Sequence, residues 1–400
     1  MQPLSQAVLL EAFPPQDRGK AMGFWGLGIV VAPILGPVLG GWLTESYSWR
    51  WVFYINIPVG IASIVMTKLY IFDPPYLRQE SRKIDYWGLG MLAVGIGALQ
   101  FVLDKGQQDD WFSSSLITAL AIISAATLVA LVLHELSTTD PIVDLKVFKV
   151  RSYAVGVFLM AVVGFVLYGS MVILPVMLQT LLGYPPLQAG IAMAPRGVGA
   201  FFMMPITGLM IGRFDPRKLL ATGLTIGGVT LLWLSQLNLQ AGYWDVFWPQ
   251  LLQGVGMSLL FVPLTTVAMD AIPRERMGNA TSLFNLMRNL GGSIGIAMTG
   301  TMLSRRQQST ASLFGSNVTQ FDPASQSLFA QMRGAFVAAG ADAVTATNRA
   351  YAALSGIVQR QASMVSFVSV FQLLGVIFLL LLPLVLLMKR PKGAPPPGAH

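Results

Sequence analysis

The sequence predicts an all-α polytopic membrane protein. Three features support this prediction: few charged residues, a series of long apolar segments, and Lys and Arg concentrated in alternate loops. Hydrophobic residues make up 54% of the 400 residues and charged residues only 11%. Soluble domains carry about a quarter charged residues. A chain of this length could not cover a water-facing surface with so few charges, so its composition predicts lipid as the solvent.

Ten apolar segments are each long enough to cross the hydrocarbon core of a bilayer, which takes about 20 helical residues. The predicted spans are residues 21–43, 51–71, 87–104, 114–135, 153–181, 188–212, 218–238, 246–268, 280–303 and 364–388.

Lys and Arg are concentrated in alternate connections between these spans. One set of connections, with the C-terminal tail, holds Arg18, Lys20, Arg78, Arg82, Lys83, Lys146, Lys149, Arg151, Arg213, Arg217, Lys218, Arg274, Arg276, Lys389, Arg390 and Lys392. The other short connections hold only Arg50 and Lys105. Because positive residues accumulate on the cytoplasmic side, we expect a multi-pass protein of the cytoplasmic (inner) membrane with a cytoplasmic C-terminus. The long connection 304–363 then lies outside, and its Ala-rich part around 326–361 predicts one or two amphipathic helices.

Several function classes are excluded by the composition. The chain has no Cys, which rules out disulfides and thiolate metal sites. Its two His residues, His134 and His400, predict no metal site and no Ser/His/Asp constellation, and a P-loop motif is missing, so we expect neither an enzyme nor a bound cofactor. The net charge of +8 does not predict nucleic-acid binding, because topology accounts for most of the basic residues.

Two segments resemble each other closely enough to predict an internal repeat. Pro3–Gly19 reads PLSQAVLLEAFPPQDRG, and Pro263–Gly278 reads PLTTVAMDAIPRERMG. The match continues at an offset of 259, which pairs Gly36 with Gly295 and Gly41 with Gly300. Chance similarity between Gly-rich spans is the alternative, although the loop and its Pro match as well. Two related halves are typical of transporters.

The first ten residues, MQPLSQAVLL, are mostly apolar and lead directly into a charged loop. At 1.5 Å per residue they cover about half of the hydrocarbon core. We therefore expect a chain that begins within a span. By comparison with the second half, about three and a half spans of the first half precede it.

One region carries a specific motif. Gly36-Pro37-x-x-Gly40-Gly41 is followed by WRWVFYINIPVG at 49–60. Further matching segments are GLMIGRFDPRK at 208–218 and LMRNLGGSIG at 286–295. With these strings the sequence resembles the major facilitator superfamily. More narrowly, it is similar to the fourteen-span drug:proton antiporters of the EmrB/QacA type, because an extra central pair of spans separates the two halves.

This resemblance implies a major facilitator fold with ten full spans and a partial first one. The implied domains are a remnant of the N-terminal six-helix half (1–71), the two extra spans with their linkers (72–152), the C-terminal six-helix half (153–388) and a cytoplasmic tail (389–400). The implied function is secondary active export of hydrophobic or cationic drugs in exchange for protons. The implied partners are the small-molecule substrates, the lipid bilayer, and a periplasmic adaptor with an outer-membrane channel.

Three groups of residues are candidates for function. The antiporter motif, expected to form a tight interface that closes during transport, comprises Gly28, Pro33, Gly36, Pro37, Gly40 and Gly41. Intramembrane polar residues, expected along a substrate or proton pathway because charge within a span is costly, comprise Arg196, Arg288, Asn285, Asn289, Gln253, Gln250 and Asn56. The second-half loop motif comprises Gly208, Arg213, Asp215 and Arg217.

Structural alternatives stay open for these candidates. The arginines could bond to backbone carbonyls or reach toward a membrane interface, and the amides could join helices. For the whole chain, the alternatives are an inactive transporter fragment, since the family's coupling acid would lie upstream of Met1, and the membrane component of a tripartite efflux assembly.

Overall fold

The computed structural model describes residues 5–6, 8–9, 12–14, 17–70, 85–138, 142–270, 272–273, 276–319 and 321–388. Within helix 18–46, the side chains of residues 18, 19, 27, 29–35 and 37 are outside this description. In order, the helices are α1 (Arg18–Ser46), α2 (Trp51–Tyr54), α3 (Asn56–Tyr70), α4 (Tyr86–Lys105), α5 (Ser115–Ser137), α6 (Arg151–Thr180), α7 (Pro186–Met210), α8 (Pro216–Leu234), α9 (Tyr243–Asp270), α10 (Met277–Asn317), α11 (Pro323–Ala338), α12 (Ala343–Leu380) and α13 (Leu382–Val385). Short 3-10 turns cover Trp111–Ser113 and Leu145–Lys149. Over the described residues the chain is all-α, as predicted.

Aspartate side chains begin several of these helices. Asp85, Asp215, Asp322 and Asp342 each accept a hydrogen bond from a backbone N–H in the first turn of α4, α8, α11 and α12. Such N-caps satisfy donors that have no partner within the helix. The starts of these helices are therefore fixed locally by the sequence.

Seven helical segments of the described chain are long and apolar enough to cross a membrane. They are Trp51–Tyr70, Tyr86–Lys105, Ser115–Ser137, Arg151–Thr180, Pro186–Met210, Tyr243–Asp270 and Ala343–Val385. The other three predicted spans also correspond to helices, α1, α8 and α10. The total of ten spans stays a prediction, as does the partial span at the start of the chain.

Helices α6 to α10 and α12 pack into one bundle, here called the six-helix unit. Close approaches between helices depend on glycine. A Cβ atom built at Gly199 of α7 would overlap the carbonyl of Leu251 on α9, and one built at Gly254 of α9 would overlap the carbonyl of Arg196 on α7. Without a side chain at these positions the two backbones come into contact, as is common between membrane helices.

The helices before the six-helix unit surround it unevenly. Helix α1 packs along α7 and also touches α9, whereas α4 and α5 form a hairpin that touches α10. In the described chain, α2 and α3 have no buried residue. Their apolar side chains are accordingly available to lipid.

The long connection 304–363 is largely helical, and two bundle helices run through it. Helix α10 has 41 residues and α12 has 38, which makes them roughly 60 Å long at 1.5 Å per residue, against a hydrocarbon core of about 30 Å. The C-terminal end of α10, all of α11 and the N-terminal part of α12 therefore project beyond the bilayer. We call residues 304–319 and 321–362 the extension. The predicted amphipathic helices are present as α11 and the start of α12, but α12 is continuous with the last span.

The domain boundaries at 71/72, 152/153 and 388/389 stay predictions. Residues 71–84 and 389–400 lie outside the described residues. The boundary near 152 falls close to the start of α6 at Arg151.

Candidate functional site: a cavity between α1 and the six-helix unit

A cavity lies where α1 meets α6, α7, α9 and α10. Its volume, open mouth included, is about 1090 Å³. Six methionines line it: Met22, Met160, Met171, Met193, Met204 and Met257. The aromatic lining residues are Trp25, Tyr168, Phe261 and Phe284, and the polar and charged ones are Gln6, Thr265, Asn285, Arg196 and Arg288. Thioether side chains adapt to varied apolar shapes, and such a lining is typical of small-molecule sites.

The face of α7 that lines this cavity follows helical spacing. Met193, Arg196, Gly197, Ala200 and Met204 line the wall and occur at intervals of three and four residues. Residues three and four apart share one face of an α-helix. The charged guanidinium of Arg196 therefore belongs to a face that is otherwise apolar.

Arg196 is buried, with 9% of the residue exposed. Its Nη2 donates a hydrogen bond to the Sδ of Met257 at 3.1 Å. A thioether sulfur is a weak acceptor, whereas a guanidinium carries five N–H donors. In the described part of the chain this cation thus has a much poorer partner than a carboxylate or a carbonyl would be.

Arg288 of α10 lines the same cavity and is 6% exposed. One turn before it, the Nδ2 of Asn285 donates to the Oε1 of Gln6 at 2.8 Å and to the carbonyl of Thr281 at 2.8 Å. Gln6 is 1% exposed. The structure therefore brings three of the predicted pathway residues, Arg196, Arg288 and Asn285, to one cavity.

The other predicted pathway residues do not line this cavity. Gln250 and Gln253 are buried in α9, where the Nε2 of the first donates to the Oε1 of the second at 3.3 Å. Asn289 is exposed, because one residue along a helix rotates the side chain by about 100° away from Arg288. Asn56 is exposed at the start of α3, and its Nδ2 donates to the carbonyl of Val52.

Helices α1 and α7 cross closely at both ends of their contact. A Cβ built at Gly23 would lie 3.0 Å from the carbonyl oxygen of Met204, and one built at Gly41 would lie 3.1 Å from the Cα of Leu187. These distances are tighter than ordinary van der Waals contact, so a side chain at either position would require its neighbour to move by a few tenths of an ångström. Of the predicted antiporter motif, Gly41 is therefore at a tight helix interface.

The predicted small-residue face of α1 does not meet α7. A Cβ built at Gly28, Gly36 or Gly40 has no described atom within 4 Å. The side chains of Pro33 and Pro37 lie outside the described part of α1. In the described chain α1 therefore turns a different face toward α7, and the tight interface expected of these three glycines stays a prediction.

In the second half, the positions related to this face by the offset of 259 are packed. Gly36 corresponds to Gly295, where a built Cβ would lie 2.7 Å from the Cα of Phe165 on α6. Gly40 corresponds to Thr299, which is 2% exposed. This face of α10 is thus its contact with α6.

The second-half loop motif forms the turn between α7 and α8. Asp215 caps α8 by accepting the backbone N–H of Arg217 at 3.0 Å. Gly208 is buried, 3.4 Å from a Cβ built at Gly23, whereas Arg213 is exposed. The motif lies outside the cavity, at the end of α7 that meets the start of α1.

Sequence reasoning did not single out several lining residues, although the repeat contains a signal for three of them, Trp25, Gly26 and Phe284. The offset of 259 relates Trp25 to Phe284 and Gly26 to Asn285, and all four residues line the cavity. The methionines carry no comparable signal, because methionine is equally ordinary on a lipid-facing surface. Gln6 is reached only through the tertiary contact with Asn285.

A bundle of long apolar helices with a cavity between α1 and the six-helix unit defines the class of polytopic membrane proteins with a small-molecule site. Residues 1–296 match the Major Facilitator Superfamily. The chain is 35% identical to the multidrug export protein EmrB of Escherichia coli (strain K12), over 98% of this chain and 75% of that protein. It is 33% identical to the fatty acid resistance protein FarB of Neisseria gonorrhoeae, over 97% of this chain and 75% of that protein. It is 32% identical to the probable multidrug resistance protein EmrY of Escherichia coli (strain K12), over 97% of this chain and 74% of that protein.

The chain belongs to the Major Facilitator Superfamily. This confirms the family resemblance at the level of the superfamily and the assignment as a multi-pass membrane transport protein rather than an enzyme.

Proposed function

We propose that the protein exports hydrophobic or cationic drugs across the cytoplasmic membrane in exchange for protons, within a fourteen-span architecture. The single observation that carries this proposal is the methionine-rich and aromatic cavity between α1 and the six-helix unit. The names of the relatives, multidrug export and fatty acid resistance proteins, support export of small apolar molecules.

Transport in this proposal depends on motion of α1 against α7. The close contacts at Gly23 and Gly41 guide this motion, and the face of Gly28, Gly36 and Gly40, where a built Cβ has no described atom within 4 Å, closes against another helix. Proton entry drives alternation between inward-open and outward-open states.

Proteoliposomes test the proposal directly. Purified protein is reconstituted and a pH gradient is imposed, and movement of ethidium is followed by fluorescence in protein-containing and empty vesicles. We expect transport that needs both the protein and the gradient and that stops when nigericin collapses the gradient. Arg349→Gln, an exposed change in the extension, serves as the control that keeps transport. Equal rates in empty and protein-containing vesicles would contradict the proposal.

A second role is suggested by the extension. Large apolar side chains lie exposed there, including Leu313 at 62%, Val344 at 70% and Tyr351 at 60%. We propose that they dock a periplasmic adaptor that leads to an outer-membrane channel. Charged substitutions at these positions should abolish co-purification with an adaptor. Phe214→Asp, in the α7–α8 turn, should not, and equal recovery of all variants would argue against the docking role.

The orientation proposed for this role places the extension outside and the C-terminus in the cytoplasm. Because the chain has no Cys, single cysteines can be introduced without background. A membrane-impermeant maleimide should label Leu313→Cys in intact cells and Phe214→Cys only after lysis. The reverse pattern would invert the topology.

A further inference from the structure

We propose that a groove at the base of the extension binds one anionic phospholipid from the adjacent leaflet of the membrane, with Arg360 holding the phosphate. The groove lies where the C-terminal end of α6 meets α10 and α12. We call it the basal groove, and its walls include Val176, Leu303, Gln307, Gly356, Arg360 and Phe367. It shares no lining residue with the cavity beside α1, so this site is independent of what the protein exports.

The first argument is the depth of the basal groove in the membrane. The groove crosses the level at which the predicted spans of α6 and α10 end and the predicted span of α12 begins. On the hydrocarbon side of this level it is lined by Val176, Leu303 and Phe367. Beyond this level its polar side chains include those of Gln307 and Arg360. Because the polar head-group region begins where the hydrocarbon core ends, this arrangement matches the acyl chains and the head group of a phospholipid.

The second argument is the position of the Arg360 side chain. Its Nη2 donates a hydrogen bond to the carbonyl oxygen of Leu181, directly after the last turn of α6, at 2.9 Å. Among the described residues this is the one hydrogen bond of Arg360, whereas a guanidinium carries five N–H donors. The contact with α6 thus holds the guanidinium at the groove and leaves donors for a phosphate, which arginine binds in a bidentate arrangement.

The third argument is the charge of the groove wall. Arg360 is the one charged residue among the described residues that line the groove. A zwitterionic head group would bring its ammonium close to this cation, with no carboxylate of the wall to pair it. A phosphodiester of an uncharged alcohol carries one negative charge, which the arginine matches. Gln307 and Ser363 line the same groove and can form hydrogen bonds with hydroxyl groups, so phosphatidylglycerol fits the wall.

The fourth argument is the open space beside α12. Ala353, Gly356, Ile357 and Arg360 line the groove and occur at intervals of three and four residues, which place them on one face of the helix. A Cβ atom built at Gly356 has no described atom within 4 Å. A larger side chain at this position would therefore enter the groove rather than a packed interface.

Native mass spectrometry tests the inference without transport, because it counts the lipids bound to each protein. The full-length protein, delipidated in detergent, is titrated with phosphatidylglycerol and separately with phosphatidylcholine of the same acyl chains. We expect the first phosphatidylglycerol to bind about ten-fold more tightly than the first phosphatidylcholine, as charge-assisted hydrogen bonds predict. Arg360→Gln should weaken the binding of phosphatidylglycerol by about ten-fold and leave that of phosphatidylcholine unchanged. Arg349→Gln is the matched control, since it removes an exposed arginine of α12 outside the groove, and it should change neither affinity.

A second pair of variants keeps the test decisive if Arg360→Gln does not fold. Gly356→Leu fills the groove and keeps the arginine, so it should weaken the binding of the first phosphatidylglycerol. Gly334→Leu is its matched control, because Gly334 of α11 does not line the groove and a Cβ built there also has no described atom within 4 Å. Arg360→Lys keeps the charge without the fork and should retain part of the preference for phosphatidylglycerol.

Two further measurements locate the lipid and distinguish it from a soluble phosphate ester. A phosphatidylglycerol with a diazirine in its acyl chain should form photo-crosslinks within residues 303–307 or 356–367 of the reconstituted protein, and fewer of them in Gly356→Leu. Glycerol 1-phosphate, which is the same phosphate ester without acyl chains, should neither bind at the concentrations used for the lipid nor displace it.

Equal affinity for the two lipids, unchanged phosphatidylglycerol binding in Arg360→Gln or in Gly356→Leu, or crosslinks confined to other segments would overturn the inference. Binding of glycerol 1-phosphate as tight as that of the lipid would also overturn it, because the groove would then be a site for soluble phosphate esters. The proposed function fails separately, since lipid binding without gradient-driven transport refutes export and keeps the lipid site.

Discussion

Gly254 is the position where adding one methyl group tests the packing of the site most directly. A Cβ built there overlaps the carbonyl oxygen of Arg196 and lies 2.8 Å from the backbone nitrogen of Ala200. Ordinary contact begins near 3.4 Å, so α7 and α9 must separate by at least about 0.6 Å in Gly254→Ala. Both partners are backbone atoms and cannot rotate away. Overpacking of this kind costs roughly 1–3 kcal/mol, which exceeds the gain of up to about 1 kcal/mol from replacing Gly by Ala in a helix.

Gly36→Ala is the matched control, because no described atom lies within 4 Å of a Cβ at that position. We expect this variant to be as stable as the parent or slightly more stable. The free energy of unfolding of the two variants should therefore differ by roughly 2 kcal/mol. Unfolding in mixed micelles, titrated with sodium dodecyl sulfate and followed by circular dichroism, measures the difference. If Gly254→Ala were as stable as Gly36→Ala, the close crossing of α7 and α9 would be wrong.

Replacing Gln6 or Asn285 by Ala removes the 2.8 Å hydrogen bond between their side chains, and each change should lower the free energy of unfolding by roughly 0.5–1.5 kcal/mol. In a double-mutant cycle the two changes should couple, and strict additivity would show that the bond contributes nothing. Asp342 caps α12, and hydrogen bonds from Thr345 hold the pKa of Asp342 below its usual range. A lowered pKa makes the cap stabilising above the usual carboxyl range and weaker as the pH falls through the lowered pKa. Amide exchange in residues 343–349, corrected for intrinsic rates, should therefore quicken on acidification in the parent, and Asp342→Ala should remove this dependence; a parent response that persists in Asp342→Ala would point to another group.

Much of the fold could be predicted from the sequence, because the composition and length of each apolar segment are enough to predict a membrane helix there. Few charges and long apolar segments require helices that satisfy their own backbone in lipid, and every predicted span corresponds to a helix in the described chain. The aspartate caps at Asp85 and Asp342 mark helix starts that follow from adjacent residues alone. The continuity of α12 through the extension was not predicted, because the loss of apolar character at the membrane surface does not end a helix.

The residues that line the cavity could be predicted from the sequence only in part. Intramembrane charge is rare enough to single out Arg196 and Arg288, and both line the cavity. Uncharged amides carry no such signal. Gln250 and Gln253 are buried in α9 away from the cavity wall, whereas Gln6 lines it.

The sequence by itself determined the solvent of this protein, its helices, its superfamily and the two arginines of its cavity. Only the tertiary structure decided which face of each helix meets which neighbour. In a soluble helix the apolar stripe marks the buried face. In a membrane helix the lipid-facing and protein-facing sides are both apolar, and small residues merely permit close contact. Gly41 packs against α7 and Gly36 does not, because the rotation of α1 about its axis depends on contacts between segments that are distant in the chain.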